Sequence, residues 1–140
     1  MNHWATWAFF SALFAGLTAI LAKVGVQGID SNLATAIRTT VILLFTWLLA
    51  APALKYTHLL AIRQKTWLFL VLSGLATGSS WLCYYRALQL GKVSQVAPVD
   101  KLSVVVAIVL GVLFLGERLD WAQGIAVAFI ATGVMILALR

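Results

Sequence analysis

Hydrophobic residues fall into five long runs along the chain, separated by short segments that carry most of the charges. The runs cover, in chain order, about residues 4–22, 33–54, 67–88, 94–115 and 121–139. An α-helix of about 20 residues, rising 1.5 Å per residue, covers the roughly 30 Å of hydrocarbon in a bilayer. Each run has about that length. The pattern therefore predicts an all-α integral membrane protein with five transmembrane helices.

The connections between the runs predict how the helices follow one another. Most are short, so consecutive helices are expected to form antiparallel hairpins, and five crossings place the two termini on opposite faces. We call the face with the N-terminus side A and the face with the C-terminus side B. Trp4, Trp67 and Trp121 begin the first, third and fifth runs. They are expected to anchor side A at the interface.

Composition narrows the class of protein further. Of the 140 residues, 63% are apolar and only 10% are charged, whereas soluble domains carry about a quarter charged residues. A soluble monomer is therefore excluded. The net charge of +6 lies between and at the ends of the runs, which favours lipid headgroups over nucleic acid as its partner. The single cysteine, Cys83, lies within an apolar run and says nothing about redox compartment.

Loop charges do not predict one orientation. Lysine and arginine in short loops favour the cytoplasmic face, and they are nearly balanced here. Side A has Lys55, Arg63, Lys65 and Arg118, and side B has Lys23, Arg86, Lys92 and Arg140. The chain is therefore open to insertion in both orientations. The alternative is that the basic segment KYTHLLAIRQK alone holds side A in the cytoplasm.

The segment VAPVDKLSVV places Asp100 and Lys101 at the head of an apolar stretch. A helix that began at Asp100 would leave about fifteen residues, or about 22 Å, which is too short to span. A helix that begins near Ser94 places Asp100 roughly 9 Å along its axis. Asp100 is therefore expected at membrane depth, where a charge needs a partner or water.

The expected partners of Asp100 come from other helices. Lys101 projects about 100° away around a continuous helix and is expected to be a poor partner. Lys23, Arg38 and Arg86 should all approach side B, as Asp100 does. These five residues, which we call the basic cluster, combine four positive charges with one negative. A gating or substrate role and a static salt bridge both remain open for Asp100, and snorkelling to the interface remains open for Arg38 and Lys23.

Helical spacing predicts polar stripes on two helices and small-residue stripes on two. Asp100, Ser103, Ala107 and Gly111 should share one face of the fourth helix, and Ser73, Thr77, Trp81 and Tyr84 one face of the third. Gly74 and Gly78 form a G-x-x-x-G match, and Gly124, Ala128 and Thr132 repeat the small spacing. Close helix packing is the favoured role for the small residues.

Catalytic chemistry finds little support in the residues. His3 and His58 have no second histidine or cysteine at metal-ligand spacing, and no glycine-rich phosphate loop appears. Glu117, Arg118 and Asp120 share one short loop, where ion pairing and helix capping are the ordinary expectations. We therefore expect neither an enzyme nor a bound metal or cofactor.

Several pieces in order resemble the EamA-like domain of the drug/metabolite transporter superfamily. They are Lys23 at the end of the first run, AIRTT with Arg38, Tyr85 followed by Ala87 and Leu88, the polar link to Pro98, FLGERL with Glu117, and Gly124 and Gly133 of the last run. The resemblance covers nearly the whole chain, which predicts one EamA-like domain over residues 1–140. The DKLS sequence looks like a feature of small five-helix members.

The resemblance implies a function and an assembly. Typical members have ten helices in two five-helix halves of opposite orientation and export small metabolites across the inner membrane through a cavity between the halves. This chain matches one half, so an inverted second copy is expected, as in the small multidrug members of the superfamily. In such an antiparallel homodimer the basic cluster occurs near each face, and pairing of Asp100 with Lys23, Arg38 or Arg86 would shut one gate as the other opens.

The same resemblance gives expectations for the substrate. The small multidrug members use a glutamate in the first helix for cationic drugs, and the first run here has no acid. The positive cluster favours small anionic or zwitterionic substrates, with Trp81, Tyr84, Tyr85 and Ser103 as further candidate lining residues. The alternatives are a non-transporting membrane subunit and one half of a heterodimer with an inverted paralogue.

Overall fold

The computed structural model describes residues 3–53 and 62–139. Its helices are α1 His3–Gly25, α2 Ser31–Ala50, a 3₁₀ turn Ala51–Ala53, α3 Gln64–Leu90, α4 Val93–Asp100, α5 Leu102–Leu115 and α6 Trp121–Ala138. Counting α4 and α5 as one segment, Val93–Leu115, five helices in the described residues are long and apolar enough to cross a membrane. The predicted all-α, five-span architecture is confirmed. Lys55, His58 and Arg140 lie outside the described residues.

Capping residues explain where the helices begin and end. Asp30 caps α2 by accepting hydrogen bonds from the N–H groups of Asn32 and Leu33 at 2.9 and 3.1 Å. Asp120 forms a capping box at the start of α6, in which Gln123 accepts from the Asp120 N–H at 2.9 Å. Gly116 ends α5 with φ of 69°, a conformation that residues with a β-carbon rarely adopt.

The fourth span differs from the continuous helix that the sequence predicts. Pro98 lies inside α4, where it has no N–H for the preceding turn. Lys101, with ψ of −8°, separates α4 from α5. On either side of it the bonds are of the i to i−3 type, from the Lys101 N–H to the Pro98 carbonyl at 2.9 Å and from the Val104 N–H to the Lys101 carbonyl at 3.0 Å. The span is therefore a broken helix.

The chain divides into two compact units. The first, which we call the α4–α6 unit, comprises Met1–Leu21 and Leu90–Arg140, and in it α6 packs against both α4 and α5. The second, the α2–α3 unit, is Ala22–Gln89. Its buried side chains lie at the end of α1, the start of α2 and the end of α3, and they are Ala22, Val26, Ser31, Ala34, Thr35, Tyr85 and Leu88. The small residues among them leave room for a close approach.

Large apolar side chains are exposed along every span. Leu48, Phe114 and Trp121 are 72%, 81% and 83% exposed. Exposed apolar side chains along whole helices form a larger continuous apolar surface than a soluble monomer shows. On a multi-pass membrane protein such faces meet lipid or another protein chain.

Candidate functional site

An arginine lies over two aromatic rings in the α2–α3 unit. The guanidinium carbon of Arg38, on α2, is 4.5 Å from the ring centroid of Trp81 and 5.5 Å from that of Tyr85. Trp81 and Tyr85 are one helical turn apart on α3, so both rings face α2. Tyr84 meets the Tyr85 ring edge-on at 6.5 Å. The structure thus brings together four of the predicted site residues.

This stacking holds the guanidinium and leaves the atoms that bind anions available. Tyr85 is 5% exposed, so the platform is itself well packed. Among the described residues, Arg38 contacts the two rings, and the ion pair is formed by Asp100 and Lys101. The N–H groups of a guanidinium lie in its own plane, where two of them match a carboxylate with parallel hydrogen bonds. The arrangement is suited to a planar anionic group.

A network of polar side chains ties the α1–α2 loop to the end of α3. Lys23 donates a hydrogen bond from Nζ to the backbone carbonyl of Leu88. Gln89 donates from Nε2 to the carbonyl of Ile29 at 2.7 Å and to that of Val26 at 3.5 Å, and its Oε1 accepts from Arg86 Nη1 at 3.1 Å. We call this set of contacts the loop clasp. It places Lys23 and Arg86, two predicted site residues, at one end of the unit.

Gln89 is a member of this network that the sequence did not identify. Its side chain is uncharged, and neither charge nor hydropathy distinguishes a single amide near the end of an apolar run. The available signal was its spacing, because Gln89 lies three residues after Arg86 on the same helical face.

A cavity of about 210 Å³ opens beside the loop clasp. Its lining residues are Lys23, Val26, Gln27, Gly28, Leu88 and Gln89. Gly28 has φ of 79°, which lets the loop turn tightly at the cavity wall. The cavity therefore has a basic group, an amide and apolar walls in one small volume.

Asp100 and Lys101 pair with each other in the α4–α6 unit. Lys101 Nζ lies 3.1 Å from Asp100 Oδ2, so the expectation that Lys101 is a poor partner was wrong. The physical reason is the long, flexible lysine side chain, which reaches the carboxylate of its neighbour even though the two Cα–Cβ directions differ. The helix break separates Asp100 from Ser103, which lies in the first turn of α5. Residues three apart still share a face in a 3₁₀ turn, so the predicted stripe through these two residues stays a prediction.

The small-residue stripes have open space beside them. A β-carbon added at Gly74, Gly78 or Gly124 would meet no described atom within 4 Å, and Ala128 is exposed. Their role in helix packing stays a prediction. Gly111 differs, because a β-carbon there would lie 2.9 Å from Oε2 of Glu117.

No metal centre is formed by the part of the chain that the structure describes, since no group of three histidine, cysteine or acidic residues is positioned to hold an ion. The candidate binding groups of the α2–α3 unit are the Arg38 guanidinium and the aromatic rings beside it.

Comparisons with known proteins agree with this picture. The family model described as the EamA-like transporter family matches residues 2–139. An "Uncharacterized transporter in cobO 3'region" from Sinorhizobium sp is 53% identical over 137 residues, which is 98% of this chain and 97% of that protein. The "Uncharacterized transporter YxxF" of Bacillus subtilis is 27% identical over 143 aligned positions, which cover all of this chain but 44% of that protein. No solved structure matches the chain significantly.

Proposed function

Because the chain belongs to the EamA-like transporter family, a family of multi-pass membrane transporters, we propose that it exports small anionic or zwitterionic metabolites across the inner membrane. Alternating access in an antiparallel homodimer is the proposed mechanism. Family membership indicates a transport role rather than an enzymatic one. To this transport role the proposal adds a substrate class, a direction of transport and an assembly.

The stacked Arg38 carries the substrate part of the proposal. Its guanidinium is held by Trp81 and Tyr85 at 4.5 and 5.5 Å and keeps its in-plane donors for a ligand. Fixing the cation before a ligand arrives lowers the entropy lost on binding. A carboxylate is the biological group that matches this geometry, and amino acids and organic acids both supply it.

The homodimer is supported by chain length and by exposed surfaces. This chain aligns with 44% of the Bacillus subtilis transporter, so two copies would supply roughly the length of that protein. The side chains of Asp100 and Lys101 are 32% and 55% exposed, and charges at membrane depth need water or protein beside them. A second, inverted copy provides both a cavity and a neighbour, and the nearly balanced loop charges permit its insertion.

Asp100 is the residue that we assign to the gate. Its ion pair with Lys101 lies at the break between α4 and α5, and broken helices are where many transporters place their binding and coupling groups. In one state of the cycle Asp100 pairs with Lys101, and in another it exchanges this partner for another cation of the basic cluster. This exchange would open one face of the dimer at a time.

A ligand screen by thermal unfolding tests the substrate class. The purified protein is heated in mild detergent with carboxylates, amino acids or organic cations, and the unfolding temperature Tm is measured. A ligand at about 100 times its Kd stabilises the folded state by about 2.7 kcal/mol. We expect Tm to rise with at least one carboxylate or amino acid and not with the cations.

Variants at two arginines make this screen specific. Arg38→Gln should abolish the rise in Tm, and Arg38→Lys should weaken it, because lysine keeps the charge but lacks the planar fork. Arg63→Gln, at an exposed position before α3, is the matched control and should leave the rise unchanged. Stabilisation by cations alone, or equal stabilisation of Arg38→Gln, would refute the anionic site.

A further inference from the structure

A second cavity, of about 520 Å³, lies in the α4–α6 unit between α5, α6 and the loop that joins them. One wall is a face of α6 formed by Gln123, Val127 and Ile130, which follow helical spacing. Ile108 of α5 forms part of the opposite wall, and Glu117 and Arg118 of the loop lie at one end. The cavity therefore has a charged end and an apolar body.

Two opposite charges line the charged end without pairing with each other. Among the described residues, the recorded ion pair is the one between Asp100 and Lys101, and neither Glu117 nor Arg118 has a recorded side-chain partner. Glu117 is held against α5, with Oε2 2.9 Å from the point where a β-carbon of Gly111 would lie. A carboxylate and a guanidinium thus line one cavity, and neither has a side-chain partner within residues 3–53 and 62–139. A ligand that carries both an ammonium and an anionic group would satisfy both.

The position of the cavity relative to the membrane specifies the rest of the ligand. Trp121 begins α6 and is 83% exposed, as is typical of a residue at the membrane interface. Ile130 is seven residues beyond Gln123, which is about 10 Å further along the helix axis. The charged end therefore lies at headgroup level and the apolar walls extend into the hydrocarbon. An amphiphile from the bilayer has this shape, whereas a soluble zwitterion lacks a chain to fill the apolar part.

We propose that this cavity binds one phospholipid whose headgroup carries a primary ammonium, such as phosphatidylethanolamine. The ammonium donates to Glu117, the phosphate accepts from Arg118, and the upper part of an acyl chain lies along Ile108, Val127 and Ile130. A quaternary ammonium has no N–H to donate to Glu117, so phosphatidylcholine is the discriminating lipid. The proposal is independent of the substrate and of the dimer proposed above.

Native mass spectrometry of the protein released from detergent tests the proposal. The protein is titrated with phosphatidylethanolamine, phosphatidylcholine or phosphatidylglycerol of matched acyl chains, and the lipid retained per chain is counted. We expect one phosphatidylethanolamine to be retained about tenfold more strongly than either other lipid, a ratio typical of one charge-assisted hydrogen bond gained. Equal retention of the three lipids would overturn the proposal.

Two kinds of variant separate the headgroup from the chain. The double variant E117Q/R118Q should lose the preference for phosphatidylethanolamine, and Val127→Trp, which fills the apolar wall, should lose the bound lipid while both charges remain. Lys65→Gln, at an exposed interfacial position, is the control and should retain the lipid. Retention that is unchanged in E117Q/R118Q would refute the site. Displacement of the lipid by millimolar leucine would assign the cavity to a soluble zwitterion and overturn the lipid assignment.

Discussion

Arg38 shows how a charged side chain within a membrane span can be stabilised while it keeps its hydrogen-bond donors. Its guanidinium lies over two aromatic rings at 4.5 and 5.5 Å, and cation–π contacts of this kind are worth about 0.5–2 kcal/mol each. The rings offset part of the cost of desolvating the charge without consuming its hydrogen-bond donors. A carboxylate partner from the protein would have stabilised the charge but occupied those donors.

Replacing Asp100 with asparagine separates a gate from a static salt bridge. Asp100→Asn should slow substrate flux in proteoliposomes at least about tenfold, because the exchange of ion pairs is lost. The free energy of unfolding should fall by less than about 1 kcal/mol, because partly exposed pairs stabilise little. Flux is measured with the substrate found in the ligand screen, and stability by thermal unfolding.

The matched control for that experiment is Asp30→Asn, which removes one negative charge and keeps the N-cap of α2, because asparagine caps as well as aspartate. Its flux should equal that of the unmodified protein. Normal flux in Asp100→Asn would refute the gate, and loss of the folded protein would favour the static bridge.

At the residue scale, the sequence could identify the charged groups but not all of their contacts. Arg38 and Trp81 were singled out because a charge deep in an apolar run and a polar stripe at helical spacing are visible in one dimension. Tyr85 was singled out because it belongs to a stretch that resembles the EamA-like domain. The Asp100–Lys101 pair was missed because helical spacing fixes the direction of each Cα–Cβ bond but not the reach of the long lysine side chain. Gln89 was missed because two of its three hydrogen bonds go to backbone carbonyls about 60 residues away, which no sequence pattern displays.

At the scale of elements, hydropathy predicted the five spans to within a few residues because length and apolarity alone decide whether a helix crosses a bilayer. The same pattern predicted one helix for the fourth span, where the structure has α4 and α5. Hydropathy does not detect this difference, because it depends on residue type and not on the backbone conformation at Lys101. Pro98 was the available signal.

Replacing Pro98 with alanine should join α4 and α5 into a continuous helix. Alanine restores the missing N–H and removes the ring clash, so the free energy of unfolding should rise by about 1–3 kcal/mol. Flux should fall, because a continuous helix resists bending at the gate. Pro52→Ala, in the 3₁₀ turn outside the helices, is the control and should change neither quantity. Unchanged stability and flux in Pro98→Ala would show that the break does not depend on the proline.

Replacing Gln89 with leucine should release the α1–α2 loop. The carbonyls of Val26 and Ile29 would lose their donor, at a local cost of about 1–3 kcal/mol. Hydrogen exchange of the loop amides should therefore speed up roughly tenfold or more. Gln89→Glu keeps an acceptor for Arg86 but cannot donate, so it should behave like the leucine variant. Gln64→Leu, at the exposed first residue of α3, should leave exchange unchanged, and unchanged exchange in both Gln89 variants would contradict the loop clasp.

At the scale of the whole molecule, the chain matches less than half of one relative and nearly all of another. This chain is thus similar to part of a transporter about twice its length. Two copies in opposite orientations would give the short form the internal symmetry of an inverted repeat. The inverted partner stays a prediction, and the nearly balanced loop charges permit it to be a second copy of this chain.

Labelling of the C-terminus measures the orientation of the chain. A unique cysteine is placed after Arg140, Cys83 is replaced by serine, and cells are treated with a membrane-impermeant thiol reagent before and after opening. We expect about half of the protein to be labelled in intact cells and the remainder after opening, because balanced loop charges favour neither orientation. Complete labelling or none in intact cells would contradict the antiparallel homodimer and favour a heterodimer with an inverted paralogue.

The break in the fourth span also has a mechanical consequence for the gate that we propose at Asp100. The eight residues of α4 make an arm about 12 Å long and the fourteen residues of α5 a rod about 21 Å long. Since α6 packs against both, the proposed motion is a tilt of α4 against α6. A tilt of about 10° would move the far end of the arm by about 2 Å, close to half the spacing of a helical turn. In the proposed cycle such a displacement changes which cation Asp100 meets, while α5 and its end at Gly116 stay in place.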